Sequence, residues 1–422
     1  MGSGTLIVGA SQAGLQLAVS LRQLGDTSAI TLVGEEEHAP YQRPPLSKEF
    51  LAGEVGPESL AFRAPSFYAD AGIDLVSGER VTEVSLAAGD RPGSGTAVTA
   101  NGRTLRFGRL ALTVGSSPRR LTVPGSGLGG ICYLRDRDDA TALRSRLGAA
   151  SRVVIVGGGF IGLEAAAVAR ALGRDVTVVE AAPRLIPRAV APVVSEFYRQ
   201  AHLRRGTDVL LSRAVSAFEG ADGEVGAVLL ADGTRVPADL VLVGVGVVPR
   251  TELAEQLGLE CDNGILVDAH ARTSEPLVAA AGDCTVQPHP TTGEGRVRLE
   301  SVQNAVAQAT VAAATLLGRP RETRNVPWFW SHQGDLKLQI AGLSTGYDTY
   351  VVRGEPGSER FSVLYYRRGR LLAADAVNSP ADYMAVRKAL SQDATIPPSR
   401  AEDTGTPLKS LITAPPEVLK SA

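Results

Sequence analysis

The chain is short of sulfur. Its 422 residues include three cysteines and two methionines, and Cys132, Cys261 and Cys284 stand far apart. No Cys-x-x-Cys pair exists, which excludes a redox dithiol carried on one turn. So sparse a set builds no disulfide scaffold and fits a reducing compartment. Five histidines without paired spacing, taken with those cysteines, form no recognisable zinc or iron–sulfur ligand set; no metal is expected. An excess of one charge is also missing. Lys and Arg number 43 against 45 Asp and Glu, a net charge of -2, so nucleic acid is not an expected partner. Long apolar runs are lacking as well. The stretch Leu240 to Val248 is broken by glycine and falls far short of the ~18 residues a membrane-spanning helix needs. The N-terminus enters a strand pattern almost at once. A soluble, cytoplasmic chain with no membrane partner is expected. Glycine (46) and proline (25) are plentiful but follow no period, which excludes collagen-like and disordered chains. The length suggests two or three domains.

What is present is a repeated grammar. Thr5-Leu6-Ile7-Val8 runs into Gly9-Ala10-Ser11-Gln12-Ala13-Gly14, a helical pattern through Leu24, and a second strand from Ile30 to Val33 with Glu35 just beyond. The same order returns in Val153 to Val156, Gly157-Gly158-Gly159-Phe160-Ile161-Gly162, a helix through Ala171, and a strand from Val176 to Val179 ending in Glu180. Two dinucleotide-binding units are implied. Each has a late apolar run, Leu110 to Gly115 and Leu240 to Gly246, read as the closing strand of a parallel sheet. Strand character resumes at Gly264 to Asp268 and at Leu277 to Asp283, followed by an Ala-rich helix from about Ser301 to Leu317. This stretch is needed to complete the first sheet, so the second unit reads as an insertion within the first. Beyond Asn325, short alternating strands near Lys337 to Ile340, Thr349 to Arg353, Phe361 to Tyr366 and Leu371 to Val377, then a helix from Ala381 to Leu390, suggest an antiparallel sheet with helices.

The glycines have separate duties. Gly157 permits a tight turn, Gly159 lets the backbone approach a pyrophosphate, and Gly162 lets helix and strand pack closely. The phosphate then meets unpaired N–H groups and the positive end of the helix dipole. Glu180 is placed to accept hydrogen bonds from both hydroxyls of an adenosine ribose and would repel a 2′-phosphate, so NADH is favoured over NADPH. Arg184 nearby pulls the other way. In the first turn Ser11 replaces the second glycine, and its hydroxyl is read as a donor to phosphate; Gly9, Gly14 and Glu35 keep their places.

Several segments together carry a resemblance: Pro40-Tyr41-Gln42-Arg43-Pro44-Pro45-Leu46-Ser47-Lys48, Gly157 to Glu164, Ala281-Gly282-Asp283-Cys284, Arg298 to Ala305, and Pro327-Trp328-Phe329-Trp330. In this order, over essentially the whole chain, they resemble the FAD-dependent, NADH-linked ferredoxin reductases of bacterial oxygenase systems. The resemblance implies an α/β fold of two nested Rossmann-like domains, glutathione-reductase-like, plus a C-terminal α+β domain. Residues 1–115 and 246–323 would bind FAD, 116–245 would bind NAD, and 324–422 would form the third domain. It implies that Glu35 holds the FAD ribose, that Ser11 and Ala13 lie at the pyrophosphate, and that Arg43, Val81 and Arg135 contact FAD. Lys48 would lie near flavin N5, paired with Glu164, where an ammonium stabilises the reduced ring. Asp283 would meet the ribityl chain, Val302 the ring, and Trp330 would border it. Phe160 and Ile161 join the NADH contacts, and Gly244 and Gly246 pass the nicotinamide.

The chain departs from the family pattern in places. Thr113-Val114-Gly115-Ser116-Ser117 replaces Ala-Thr-Gly-Ala-Arg, so an arginine is missing at Ser117, and His332 stands where the family has an acidic or related polar residue. The activity implied is electron transfer from NADH through FAD to a small iron–sulfur ferredoxin feeding an oxygenase of the cytochrome haem-thiolate type. An acidic ferredoxin would need local positive charge, for which Lys388, Lys409 and Arg119 are candidates. The same scaffold would also serve an NADH oxidase or other small-acceptor reductase, or a redox-responsive flavoprotein acting by partner binding. A monomer or weak homodimer is expected.

Overall fold

Apolar runs singled out in the sequence become strands over nearly the lengths expected: Thr5–Val8, Ile30–Val33, Arg152–Val156 and Asp175–Glu180. Apart from the charged end residues Arg152, Asp175 and Glu180, residues that are β-branched or apolar fill them on both faces, as a sheet covered on two sides requires. In the computed structural model, which describes residues 4–87, 94–291, 293–321 and 325–414, the chain forms two units. One gathers the chain up to Gln42 with Glu58–Ser117 and Val247–Asn325; the other gathers Arg43–Pro57, Pro118–Gly246 and the chain from Val326 onward.

The first unit is built on a parallel sheet in the order Val278–Ala280, Arg109–Leu112, Thr5–Val8, Ile30–Val33, Ile73–Val76. Val8 is level with Val33 on one side and Leu112 on the other. The glycine turn therefore opens at the carboxyl edge of the sheet, where such folds place ligands. Its helix, Gln12–Gln23, packs Ala13, Leu17, Ala18 and Leu21 into one core with Ala305, Ala309, Ala312 and Ala313 of the helix Val302–Leu316. Small side chains let the two helices approach closely. Ser301 caps the second of them, its Oγ accepting from the Asn304 N–H at 3.2 Å. An antiparallel ribbon of Val81–Leu86, Gly95–Thr99 and Thr104–Phe107 lies in the same unit.

The second unit repeats the plan with Thr207–Leu211, Asp175–Glu180, Arg152–Val156, Leu240–Val243 and Ile131–Cys132 side by side and parallel. Its C-terminal part is an antiparallel sheet in the order Trp328–Gln333, Leu336–Gly342, Arg370–Val377, Arg360–Arg367, Thr349–Glu355, followed by the helix Pro380–Ser391. Among the described residues no helix is long and apolar enough to cross a membrane.

Three local expectations change. The runs at Leu110 and Leu240 do not close their sheets: each is flanked outside by one more strand, which is why they are buried almost throughout. Ile265–Leu266 pairs with Thr285–Pro288 in a small separate sheet instead of extending the large one. Trp328–Gln333, too aromatic to show clean alternation, is a full strand.

Candidate active site

The two glycine turns have the same backbone. Gly9 and Gly157 both sit at φ +111°, a region costly to any residue with a Cβ. A Cβ at Gly9 would also lie 2.2 Å from the Thr113 carbonyl oxygen, and one at Gly157 2.3 Å from that of Gly244. Gly14 and Gly162 are closed in the same way, their Cβ positions 2.0 and 2.2 Å from the oxygens of Gly9 and Gly157. Gly159 differs. It is the N-cap of the helix Phe160–Ala171, and a Cβ there would meet no heavy atom within 4 Å. That open space over a helix N-terminus fits a phosphate.

In the first unit Ser11 takes the N-cap position of Gln12–Gln23 in extended conformation. Ala13 lies against Gly282, whose added Cβ would be 3.3 Å from its own. The neighbouring Asp283 accepts from Ser116 Oγ at 3.5 Å. Val302 opens its helix, and beside it the buried Gln303 Oε1 has no hydrogen-bond partner among the described residues. A buried acceptor left without a donor is costly, so this oxygen is suited to a group bound beside it. Val81 is the buried first residue of its strand.

In the second unit Glu180 accepts from the Gly158 N–H at 2.6 Å and the Ala182 N–H at 2.7 Å, which fixes the carboxylate beside the turn. Arg184 is already committed. Its guanidinium donates to the Val190 oxygen at 2.7 Å, Ser195 Oγ at 2.8 Å and the Pro187 oxygen at 2.5 Å. Phe160 packs on Phe329 with ring centroids 4.6 Å apart, while Ile161 is exposed. Gly246, at φ +98°, and Gly244 follow the strand Leu240–Val243.

The same unit joins Lys48 to Glu164. Lys48 follows a 3-10 turn, Pro44–Ser47, whose prolines preset the backbone. Its Nζ lies 2.7 Å from Glu164 Oε2, with 13% and 4% of the two side chains exposed. Ser47 Oγ donates to the same oxygen at 2.5 Å; Ser331 Oγ and the His332 N–H donate to Oε1 at 2.7 and 3.3 Å. Four donors on one buried carboxylate supply the compensation that a desolvated ion pair needs. Nearby in sequence, Arg43 donates to the Arg135 carbonyl oxygen at 2.7 Å, and Trp330 stacks beside Trp328 at 5.7 Å. The His332 imidazole is half-buried, and burial first, then the charges of Lys48 and Lys337, push its pKa below the ordinary value. Ser47 and Ser331 were not singled out by the sequence reading. Their only signal is adjacency to Lys48 and Trp330.

Ser117 and Glu35 share one partner, Arg250. Arg250 Nε donates to Ser117 Oγ at 2.8 Å, and the same fork is paired with Glu35. Lys388, Lys409 and Arg119 are exposed.

A family model described as pyridine nucleotide-disulphide oxidoreductase matches residues 4–309, and one described as reductase C-terminal matches residues 328–412. Rhodocoxin reductase of Rhodococcus erythropolis is 44% identical over 407 residues, 96% of this chain and 94% of its own length. The crystal structure of a ferredoxin reductase from Rhodopseudomonas palustris superposes with a TM-score of 0.92 at 41% identity, covering 98% of this chain and all of that one. The covalent complex of putidaredoxin reductase with putidaredoxin gives a TM-score of 0.91 at 40% identity, covering 97% and 98%.

Proposed function

The chain belongs to the pyridine nucleotide-disulphide oxidoreductase family, and from that membership we propose that it is an FAD-dependent NADH:ferredoxin reductase serving an oxygenase. The observation that carries this reading is the pair of glycine turns with one backbone conformation, each at a strand–helix junction of its own parallel sheet. FAD is assigned to the turn at Gly9, with Glu35 at the ribose and Asp283 at the ribityl chain. NADH is assigned to the turn at Gly157, with Glu180 at its ribose and Arg184 spent on its own loop, unavailable to a 2′-phosphate. Bound FAD takes two electrons as a hydride and releases them singly, the conversion a one-electron iron–sulfur acceptor needs.

The chain's residues do the rest. Lys48, oriented by Glu164, Ser47 and Ser331, presents a fixed positive charge where negative charge develops on reduction. Sulfur of the chain stays out of the relay. Burial pushes the Cys284 thiol up to about 12 and raises Cys132 and Cys261 as well, so none supplies a thiolate readily. Electrons therefore leave to an external carrier, as the reductase names of the relatives suggest. Lys388, Lys409 and Arg119 are the basic residues proposed to meet an acidic ferredoxin, in the cytoplasm, where such carriers and NADH coexist.

Anaerobic titration of the purified protein with NADH, watched by flavin absorbance and followed by oxidised ferredoxin, tests each step. Bleaching by NADH and recovery on adding ferredoxin are expected. A colourless protein that takes up no FAD overturns the cofactor assignment. Recovery with oxygen as fast as with ferredoxin would favour an NADH oxidase instead.

A further inference from the structure

Arg250 reaches three partners at one place in the first unit. Its backbone N–H donates to the Gly115 oxygen at 3.0 Å, its Nε to Ser117 Oγ at 2.8 Å, and its Nη1 to Glu35 Oε1. The strand before it, Val247–Pro249, pairs with Ser116–Pro118, so main chain and side chain are fixed by the same segment. That segment follows Thr113, whose carbonyl oxygen walls the Gly9 turn. The arginine is thereby built into the border of the first nucleotide turn, although it lies far along the chain from Glu35.

We propose that Arg250 is a positioning residue for FAD, clamping the Glu35 carboxylate toward the adenosine ribose and supplying from position 250 the guanidinium that position 117 lacks. The proposal rests on the assignment of FAD to the Gly9 turn. Geometry favours Arg250 over the other cation near Glu35. Arg80 is 64% exposed and lies 4.0 Å from Oε2, a distance and solvation at which an ion pair holds little. Arg250 is 29% exposed and is anchored at two other points. A planar fork that bonds Ser117 through one edge and Glu35 through another has little freedom left. It occupies Oε1 and leaves Oε2 for the ribose hydroxyls. Ser117 is part of the device, because its short hydroxyl both accepts from Nε and leaves room for the fork.

The test is equilibrium FAD binding to apoprotein, followed by flavin fluorescence. Arg250→Met keeps the aliphatic stem and should raise the FAD dissociation constant about tenfold. In a Glu35→Gln background the same substitution should change it less than about twofold, since the group being positioned is gone. Adding Ser117→Arg to the Arg250→Met variant should recover most of the lost affinity. Arg250→Lys, which keeps charge without the fork and is a second route if the Met variant fails to fold, should fall in between. Unchanged affinity in Arg250→Met, or an equal loss with and without Glu35, overturns the proposal. Wild-type apoprotein that binds no FAD would instead overturn the cofactor assignment beneath it.

Discussion

At Glu164 a change that keeps shape but removes charge separates electrostatics from packing. Glu164→Gln keeps one acceptor oxygen for Ser47 or Ser331, puts an NH2 donor in place of the other, and leaves the Lys48 ammonium without its ion partner. Flavin reduction by saturating NADH, followed by stopped-flow absorbance, should slow about tenfold, less than the about 10²–10³ that loss of a directly stabilising donor costs, because Glu164 acts through Lys48. An unchanged rate would mean that the pair is structural. The second glycine turn offers a cleaner contrast between binding and folding. Gly159→Ala adds a methyl into open space, so the melting temperature should hold while the NADH dissociation constant rises about tenfold or more. Gly162→Ala puts its methyl 2.2 Å from a carbonyl oxygen, an overpacking worth about 1–3 kcal/mol. It should lower the melting temperature whether or not NADH is present.

Among elements, the strand Arg370–Val377 carries a pH signature close to neutrality. Asp375 is fully buried within it, and burial pushes its carboxyl up to about 7 against the hydrogen bond that Tyr365 donates to it. Tyr365 in turn accepts from the Ala191 N–H at 3.2 Å. The unfolded chain ionises this group near pH 4, while the folded chain holds its proton until about pH 7. The folded state binds more protons in between, so this residue's contribution to stability falls as pH rises across that window. Asp375→Asn should gain on the wild type between pH 4 and pH 8, by up to about 4 kcal/mol, read from denaturant unfolding at each pH. A pH-independent difference would show that Asp375 is not the titrating group. His202, buried against Gln333 and pushed down by desolvation, acts in the opposite sense. Its contribution is lost as pH falls below the ordinary histidine range.

For the whole molecule, near neutrality of charge decides how a partner is found. With a net charge of -2, the molecule supplies no strong overall field, and the proposed encounter with an acidic ferredoxin depends on local patches. Reversing Lys388 and Lys409 together to glutamate should lower the second-order rate of ferredoxin reduction about tenfold at low salt. The gap should close as ionic strength approaches 1 M, where the screening length is about 3 Å. A rate insensitive to both charge and salt would move the docking face elsewhere.

Much was legible without coordinates where function depends on neighbours in sequence. The glycine turns, their flanking strands and the Ala-rich helix could be read because turn chemistry and apolar periodicity are local, and the resemblance supplied the Lys48–Glu164 pairing. The flanking strands outside Leu110 and Leu240 were not legible, because an apolar run looks alike at an edge and in the interior. Ser331 and Arg250 escaped for a different reason. A serine or an arginine has no signature until the fold brings it to the group it serves, and Ser117 read as a loss because its compensating guanidinium lies at position 250. Sequence alone determined that this chain builds two nucleotide turns and carries no Cys-x-x-Cys dithiol, since both follow from residue type and spacing. Only tertiary structure decided which side chains hold the critical carboxylates, because hydrogen bonds close over distances in space that spacing along the chain does not encode.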